Sequence, residues 1–384
     1  MTPATELKPA HSVHSNAIGI ARSLGPVFAA RAAKADDGDA FVAENYRDLR
    51  HSGLIEAGVP ADLGGGGAEV RELCDMIREL AHHCGSTALA FSMHTHQVAI
   101  PAWRWTRQKA APVMPLLKRV AAERVILLSS GGSDWIEGSG KAEKVDGGYR
   151  ITARKIFTSG SPIGDILMTG AVFDEPDGPK VLHFGLPMNS PHIKVLDTWK
   201  VMGMRGTGSN DVMIEGHVVP EEAVALKRNQ GEWHMLFHII SMIAFPLIYS
   251  AYLGVAESAR DIAVEMAKRK APDAHVIELA GRMETELRAA QYAHAGMIAA
   301  AERGEPSPAT TNEIMIGRTL VARHAIAATE LAMETAGGAA FYRDKGLERR
   351  FRDIQGARYH PMRTGGQQEF SGRMALGLDT LRTF

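Results

Sequence analysis

Two cysteines, Cys74 and Cys84, are all that the chain offers in 384 residues. That is too few for a disulfide framework, and no C-x-x-C pair supplies metal spacing, so a disulfide-stapled scaffold is excluded and a reducing compartment fits. Net charge is scarce as well: 43 Lys and Arg stand against 44 Asp and Glu, a formal charge of -1. Without a sustained basic stripe, neither nucleic acid nor an anionic membrane is the expected partner. The short clusters Lys268-Arg269-Lys270 and Arg349-Arg350 read as solvated helix ends. The first residues, MTPATELKPAHSVHSNA, hold no apolar signal core, and no unbroken apolar run reaches the roughly 18 residues of a membrane span. The expectation is a soluble, cytoplasmic protein.

What is present is an ordinary globular composition, 45% hydrophobic and 23% charged, in a chain long enough for two or three domains. Residues 1–122 read as helical, with Val70, Leu73, Ile77 and Leu80 at helical spacing. Turn formers interrupt them at Gly58-Val59-Pro60 and at the four glycines 64–67. Residues 123–228 change to short β-favouring runs, 125–128, 149–153, 166–173, 181–186 and 212–214, separated by turns such as Asp146-Gly147-Gly148. Residues 229–384 return to long helical stretches, 234–270, 275–302 and 310–336, that suit a bundle.

Three segments carry candidate chemistry. Between Trp199 and Val212, Gly203, Gly206 and Gly208 permit tight turns against a ligand, while Arg205, Thr207 and Ser209 offer donors to a phosphate or a flavin edge. In Lys155-Ile156-Phe157-Thr158-Ser159-Gly160 a strand runs into an aromatic ring fit to stack on a planar cofactor and two hydroxyls fit to bond its heteroatoms. At Ala336-Gly337-Gly338 a helix stops and leaves bare backbone for a pyrophosphate. Taken singly, each is also an ordinary turn, core aromatic or helix end. No strand-to-helix glycine fingerprint for a nicotinamide cofactor is present.

In this order the segments resemble the acyl-CoA dehydrogenase superfamily over nearly the whole chain, together with Ser86-Thr87-Ala88 and with Gly132-Ser133-Asp134 at the start of the β region. The resemblance implies an α+β fold: a helical N-terminal domain, a middle β-barrel or sandwich, and a C-terminal four-helix bundle. It implies a homo-oligomer, dimer or tetramer, with FAD between the second and third domains. Ser133, Phe157, Thr158, Ser159, Arg205 and Thr207 would meet the cofactor, and Gly337 and Gly338 would approach its diphosphate from a neighbouring subunit.

The family's dehydrogenases remove an α-proton with a glutamate while a hydride moves to the flavin, so a carboxylate is chemically required. Eight residues after Arg352-Asp353, one family position for it, stands Pro361; the other, ten residues before Gly254, holds Ala244. An arginine often found early in that helix is Phe245, and the Phe-Gly and Gln elements expected after the basic turn are replaced by Ala271-Pro272-Asp273, which leaves FMN open beside FAD. The flavin-dependent monooxygenase branch of the same fold is similar to this chain at 157–160, at 203–209, and at His360, seven residues after the Arg-Asp pair.

The default expectation is therefore α,β-dehydrogenation of an acyl thioester with a displaced base, served by an electron-transfer flavoprotein. The alternative is a two-component monooxygenase of a small or aromatic substrate, fed by a flavin reductase; a further one is an inactive flavin-binding scaffold. His360 is the candidate catalytic residue, with an unperturbed pKa suited to work near neutrality. His94, His96 and Phe245 would line the substrate pocket, and Glu334 and Glu369 are the nearest carboxylates for a displaced base. No metal is expected, since the spacing of His82, His83, His94 and His96 makes no zinc site.

Overall fold

The computed structural model describes residues 16–134, 136–269 and 272–383. Five helices come first: α1 (Ala17–Asp37), α2 (Ala43–Ser52), α3 (Val70–His83), α4 (Gly85–Gln108) and α5 (Met114–Glu123). Helix α3 begins at a reciprocal capping box between Glu69 and Glu72 and buries the face read from the sequence, Leu73, Ile77 and Leu80. Helix α4 is buried on nearly all sides from Ser86 to His96, the mark of a helix inside a larger core.

Eight strands follow: β1 (Leu127–Ser129), β2 (Lys141–Val145), β3 (Gly148–Lys155), β4 (Ile166–Glu175), β5 (Gly178–Pro187), β6 (Ile193–Val195), β7 (Val212–Pro220) and β8 (Leu226–Asn229). The expected barrel or sandwich is one mixed sheet in the order β6-β7-β3-β2-β4-β5-β8, with β1 added parallel to β4. Strands β2 and β3 form a hairpin whose two-residue loop, Asp146-Gly147, has Gly147 at φ +75°, as the turn signal anticipates.

Three long helices return, α6 (Met235–Lys268), α7 (Ala274–Arg303) and α8 (Pro308–Ala336), then α9 (Leu347–Ile354) and α10 (Thr364–Ala375). Asp273 and Ser307 cap α7 and α8 by accepting backbone N–H bonds. The bundle is thus three long helices and a 12-residue fourth, α10, that packs on α8. By length and composition α6 is apolar enough to cross a membrane, unlike the reading of broken apolar runs, but 94% of that window is buried inside the fold. It is the core helix against which α3, α4, α7 and α8 pack.

Gly254 lets α6 lie close against α3: a Cβ there would stand 2.3 Å from the carbonyl oxygen of Arg78. In α7, by contrast, a Cβ on Gly281 would meet nothing within 4 Å. Gly254→Ala should destabilise by about 1–3 kcal/mol through overpacking. Gly281→Ala should stabilise by roughly 0.5–1 kcal/mol through reduced backbone entropy. Chemical denaturation of the two variants checks both signs.

Candidate active site

At the end of β3, the Lys155 ammonium is fully buried and donates to the Asp134 carboxylate at 2.9 Å and to the carbonyls of Ser139 and Gly170 at 2.8 and 2.6 Å. It pins the 132–134 turn to the strand end, paying its desolvation with an ion pair and carbonyl acceptors. The Ser133 side chain lies outside the described residues. Gly131 donates its N–H to Ile156 at 2.9 Å, and a Cβ there would stand 2.9 Å from that of Phe157. Gly132 lies as close to the opposite wall: its Cβ would fall 2.3 Å from Pro361. Two successive glycines thereby join the strand-end loop to the C-terminal loop that carries His360.

On the strand-end loop Phe157 takes a left-handed φ of +54° and presents a ring that is 54% exposed, edge-on to Trp199 at 5.9 Å. Among the described residues the Thr158 hydroxyl is buried without a hydrogen-bond partner. Ser159, Ser209 and Thr207 form a hydroxyl chain, 2.8 and 2.7 Å per link, ending on the Met204 carbonyl at 2.9 Å. An exposed aromatic face beside an unsatisfied hydroxyl fits a planar heterocycle with polar edges, so these residues suit a flavin.

Thr207 is itself fully buried, and Arg205 spends its guanidinium on the carbonyls of Val201 and Asp36 and on the Asp39 carboxylate. Both hold the shape of the 203–209 loop. The loop is fastened on two further sides. Met204 donates its N–H to the Asp353 carboxylate, Gly206 donates to the Ser86 hydroxyl, and a Cβ on Gly203 would strike the Arg352 carbonyl at 2.2 Å. Burial pushes Asp353 up to about 6, while Arg352 forks onto Asp36 and Glu348. Gly337, at φ +70°, and Gly338 sit exposed at the end of α8 with open space around both.

The expected pocket histidines have different fates. His94 accepts the Leu127 N–H at Nδ1 (3.0 Å), so its Nε2–H donates to the Ile55 carbonyl (2.9 Å), and its ring stacks on Phe91. With both nitrogens engaged, it ties α4 to β1. His96 sits two residues along, with Nδ1 bonded to the Ser92 carbonyl and Nε2 facing the Gln97 amide at 3.3 Å. The His360 ring packs edge-on to Tyr252 at 5.5 Å, and its backbone carbonyl accepts from Arg318 at 2.8 Å. Burial lowers His94 and His96 to about 4 and His360 to about 3, the last helped by the charge of Arg318 and by His96. The three are neutral near pH 7, unlike the ordinary pKa expected for His360.

The structure thus brings together Phe157, Thr158, Ser159 and Thr207 in one group, and His96 and His360 in another across the Gly131-Gly132 turn. Phe245 and Ala244 are buried in α6. Glu334 is exposed, and Glu369 is engaged with Arg373 on the surface of α10. Tyr252 and Arg318 were missed; the available signal was a lone basic residue within the apolar stretch of α8 around Ile314, Met315, Leu320 and Val321.

Comparison with known families matches residues 22–116 to the acyl-CoA dehydrogenase N-terminal domain and residues 247–364 to the acyl-CoA dehydrogenase C-terminal domain. A pigment production hydroxylase of a Rhodococcus strain is 34% identical over 52% of this chain; the match spans 48% of that protein, about half its length. A putative acyl-CoA dehydrogenase of Bacillus subtilis is 27% identical over 87% of this chain and 90% of its own. An amino sugar nitrososynthase of Streptomyces peucetius is 27% identical over 86% and 85%. The solved structure of KijD3, in complex with FMN and a dTDP-linked amino-keto sugar, shares the fold with a TM-score of 0.85 at 23% identity, covering 99% of this chain and 97% of that one.

Six histidines have folded pKa values far below the usual 6.5, His94, His96, His238 and His294 near 4 and His183 and His360 near 3, and burial lowers His83, His217 and His234 as well. As pH falls, the unfolded chain takes up these protons first, so their contribution to stability is intact above the unfolded value and drains away toward the folded one. The ligand-free Tm should fall steadily from about pH 6.5 to about pH 4. A flat Tm across that window would contradict the burial of the group.

Proposed function

Because the chain belongs to the acyl-CoA dehydrogenase superfamily yet carries no carboxylate at either place where that family holds its base, we propose that it is a two-component flavin-dependent monooxygenase of a small or aromatic substrate. The coarser statement, a flavin-dependent oxidoreductase on this fold, follows from the family itself. The observation that carries the finer reading is the buried, neutral imidazole of His360, with the His96 ring and the cation of Arg318 beside it, next to Pro361, where the family's sequence would place a carboxylate.

Phe157 would lie against the flavin ring, Thr158 and Ser159 would bond its heteroatoms, and Gly337 and Gly338 of a second copy would admit its phosphate. The departures after residue 270 favour FMN over FAD. Reduced flavin bound there supplies two electrons, so that one atom of dioxygen enters the substrate and the other leaves as water. A histidine held near pKa 3 is a poor base at neutral pH, so the contribution of His360 is a neutral ring that donates or accepts a hydrogen bond at the oxygen in transfer. The hydroxylase and nitrososynthase among the relatives agree with this chemistry, and a dehydrogenase reaction is the weaker reading.

Thr158→Val separates a cofactor contact from a structural one. Removing a buried, unpaired hydroxyl should leave the ligand-free Tm unchanged or raised. Flavin binding should weaken about tenfold. A lowered Tm with unaltered flavin affinity would overturn the assignment. Mixed anaerobically with the flavin-loaded protein, a panel of acyl-CoA thioesters should leave the oxidised flavin spectrum intact; bleaching would return the chain to the dehydrogenases. In the reductase-coupled assay, His360→Ala should cost at least about 100-fold in turnover while flavin binding persists.

A further inference from the structure

Arg318, on α8, is 0% exposed. Its Nη2 donates to three carbonyls of one turn, those of Ala357 at 3.2 Å, Arg358 at 3.3 Å and His360 at 2.8 Å. Among the described residues Nε and Nη1 find no acceptor, and the cation also faces the Tyr249 ring, whose centroid lies 5.3 Å from Cζ. Tyr249 supports the same turn by donating its hydroxyl to the Ala357 carbonyl at 2.8 Å. Among the described residues, no carboxylate lies within ion-pair distance of this guanidinium. A buried cation without an anion is expensive, and carbonyl bonds from one nitrogen only partly compensate it. A neutral residue would hold an ordinary turn at lower cost.

The geometry points to Arg318 as the positioning residue of the histidine site: it clamps the 357–360 turn, fixes the His360 ring against Tyr252, and sets an unbalanced positive charge beside that ring. The groups that face His360 are Arg318 from α8, His96 from α4 and Tyr252 from α6; Asp353, from α9, acts on Tyr252. Of these, Arg318 opposes protonation of His360 most strongly after burial itself. The functional weight of this clamp rests on the monooxygenase reading of His360, but its charge effect does not.

Two substitutions divide the clamp from the charge. Arg318→Lys keeps the cation and loses the planar fork that reaches three carbonyls; Arg318→Met keeps much of the volume and loses both. Histidine 15N–1H spectra, with the His360 signal identified by its loss in His360→Gln, give the titration midpoint directly and without reference to activity. Arg318→Met should raise that midpoint by at least about one pH unit, a tenfold change in proton affinity, and move the acid limb of the turnover-pH profile by the same amount. Arg318→Lys should leave the midpoint within a few tenths of a unit and lower kcat about tenfold or more with little change in KM. A folded Arg318→Met with an unmoved midpoint overturns the charge effect. Should that variant not fold, Arg318→Lys decides: a wild-type kcat overturns the clamp, and a lowered kcat at an unmoved midpoint supports it. If the midpoint moves but no oxygenase turnover exists in any form, the charge effect stands and the proposed reaction falls.

Discussion

The rest of the structure depends on the bond from the Met204 N–H to the buried Asp353 carboxylate. It fastens the glycine-rich loop after β6 to helix α9, and so sets the sheet against the bundle. Gly203 makes the bond possible, because any side chain there would collide with the Arg352 carbonyl. Arg352 continues the knot to Asp36 on α1, and Gly206 continues it to Ser86 at the start of α4. One loop thus touches all three regions, and the hydroxyls of Thr207 and Ser209 that shape its inner side reach Ser159 of the cradle. Arg205 and Thr207 belong to this knot, which explains why residues that resemble cofactor ligands in sequence are consumed internally.

The second constraint is dielectric. Burial at the junction of α4, α6 and the C-terminal loop costs a charged imidazole more than its neighbours return, so His94, His96 and His360 stay neutral. Taking a proton from a carbon acid calls for an anionic base; guiding oxygen toward a neutral substrate calls for uncharged donors and acceptors. Pro361 at the first family carboxylate position packs on Gly132, and Ala244 at the second fills the core of α6.

Much of the architecture was legible in the sequence. The long helical stretches read at 234–270, 275–302 and 310–336 match α6, α7 and α8 to within a few residues, and Gly337 ends α8 as expected. Strands β2, β6 and β8 did not: β2 is Lys-Ala-Glu-Lys-Val, with Ala142 as its one fully buried side chain, and β6 has three residues. Glycine motifs located the cradle, and Phe157 stands on it, but nothing local foretold the left-handed backbone of Phe157 or the burial of Lys155. His94 and His96 were indistinguishable in sequence because what separates them is distant: Ile55 and Leu127 capture one ring and leave the other. Arg318 was invisible for the same reason, since the carbonyls it binds lie about forty positions away, |i−j| of 39 to 42.

Isotopic oxygen gives the most direct test of the central claim. The protein, supplied with reduced FMN by a separate reductase under 18O2, should convert at least one member of a panel of indoles, phenols and aryl sulfides to a product heavier by a single labelled oxygen, with flavin oxidation coupled to product. Unlabelled products, or flavin oxidation indifferent to every substrate while a thioester bleaches the oxidised flavin, would contradict it.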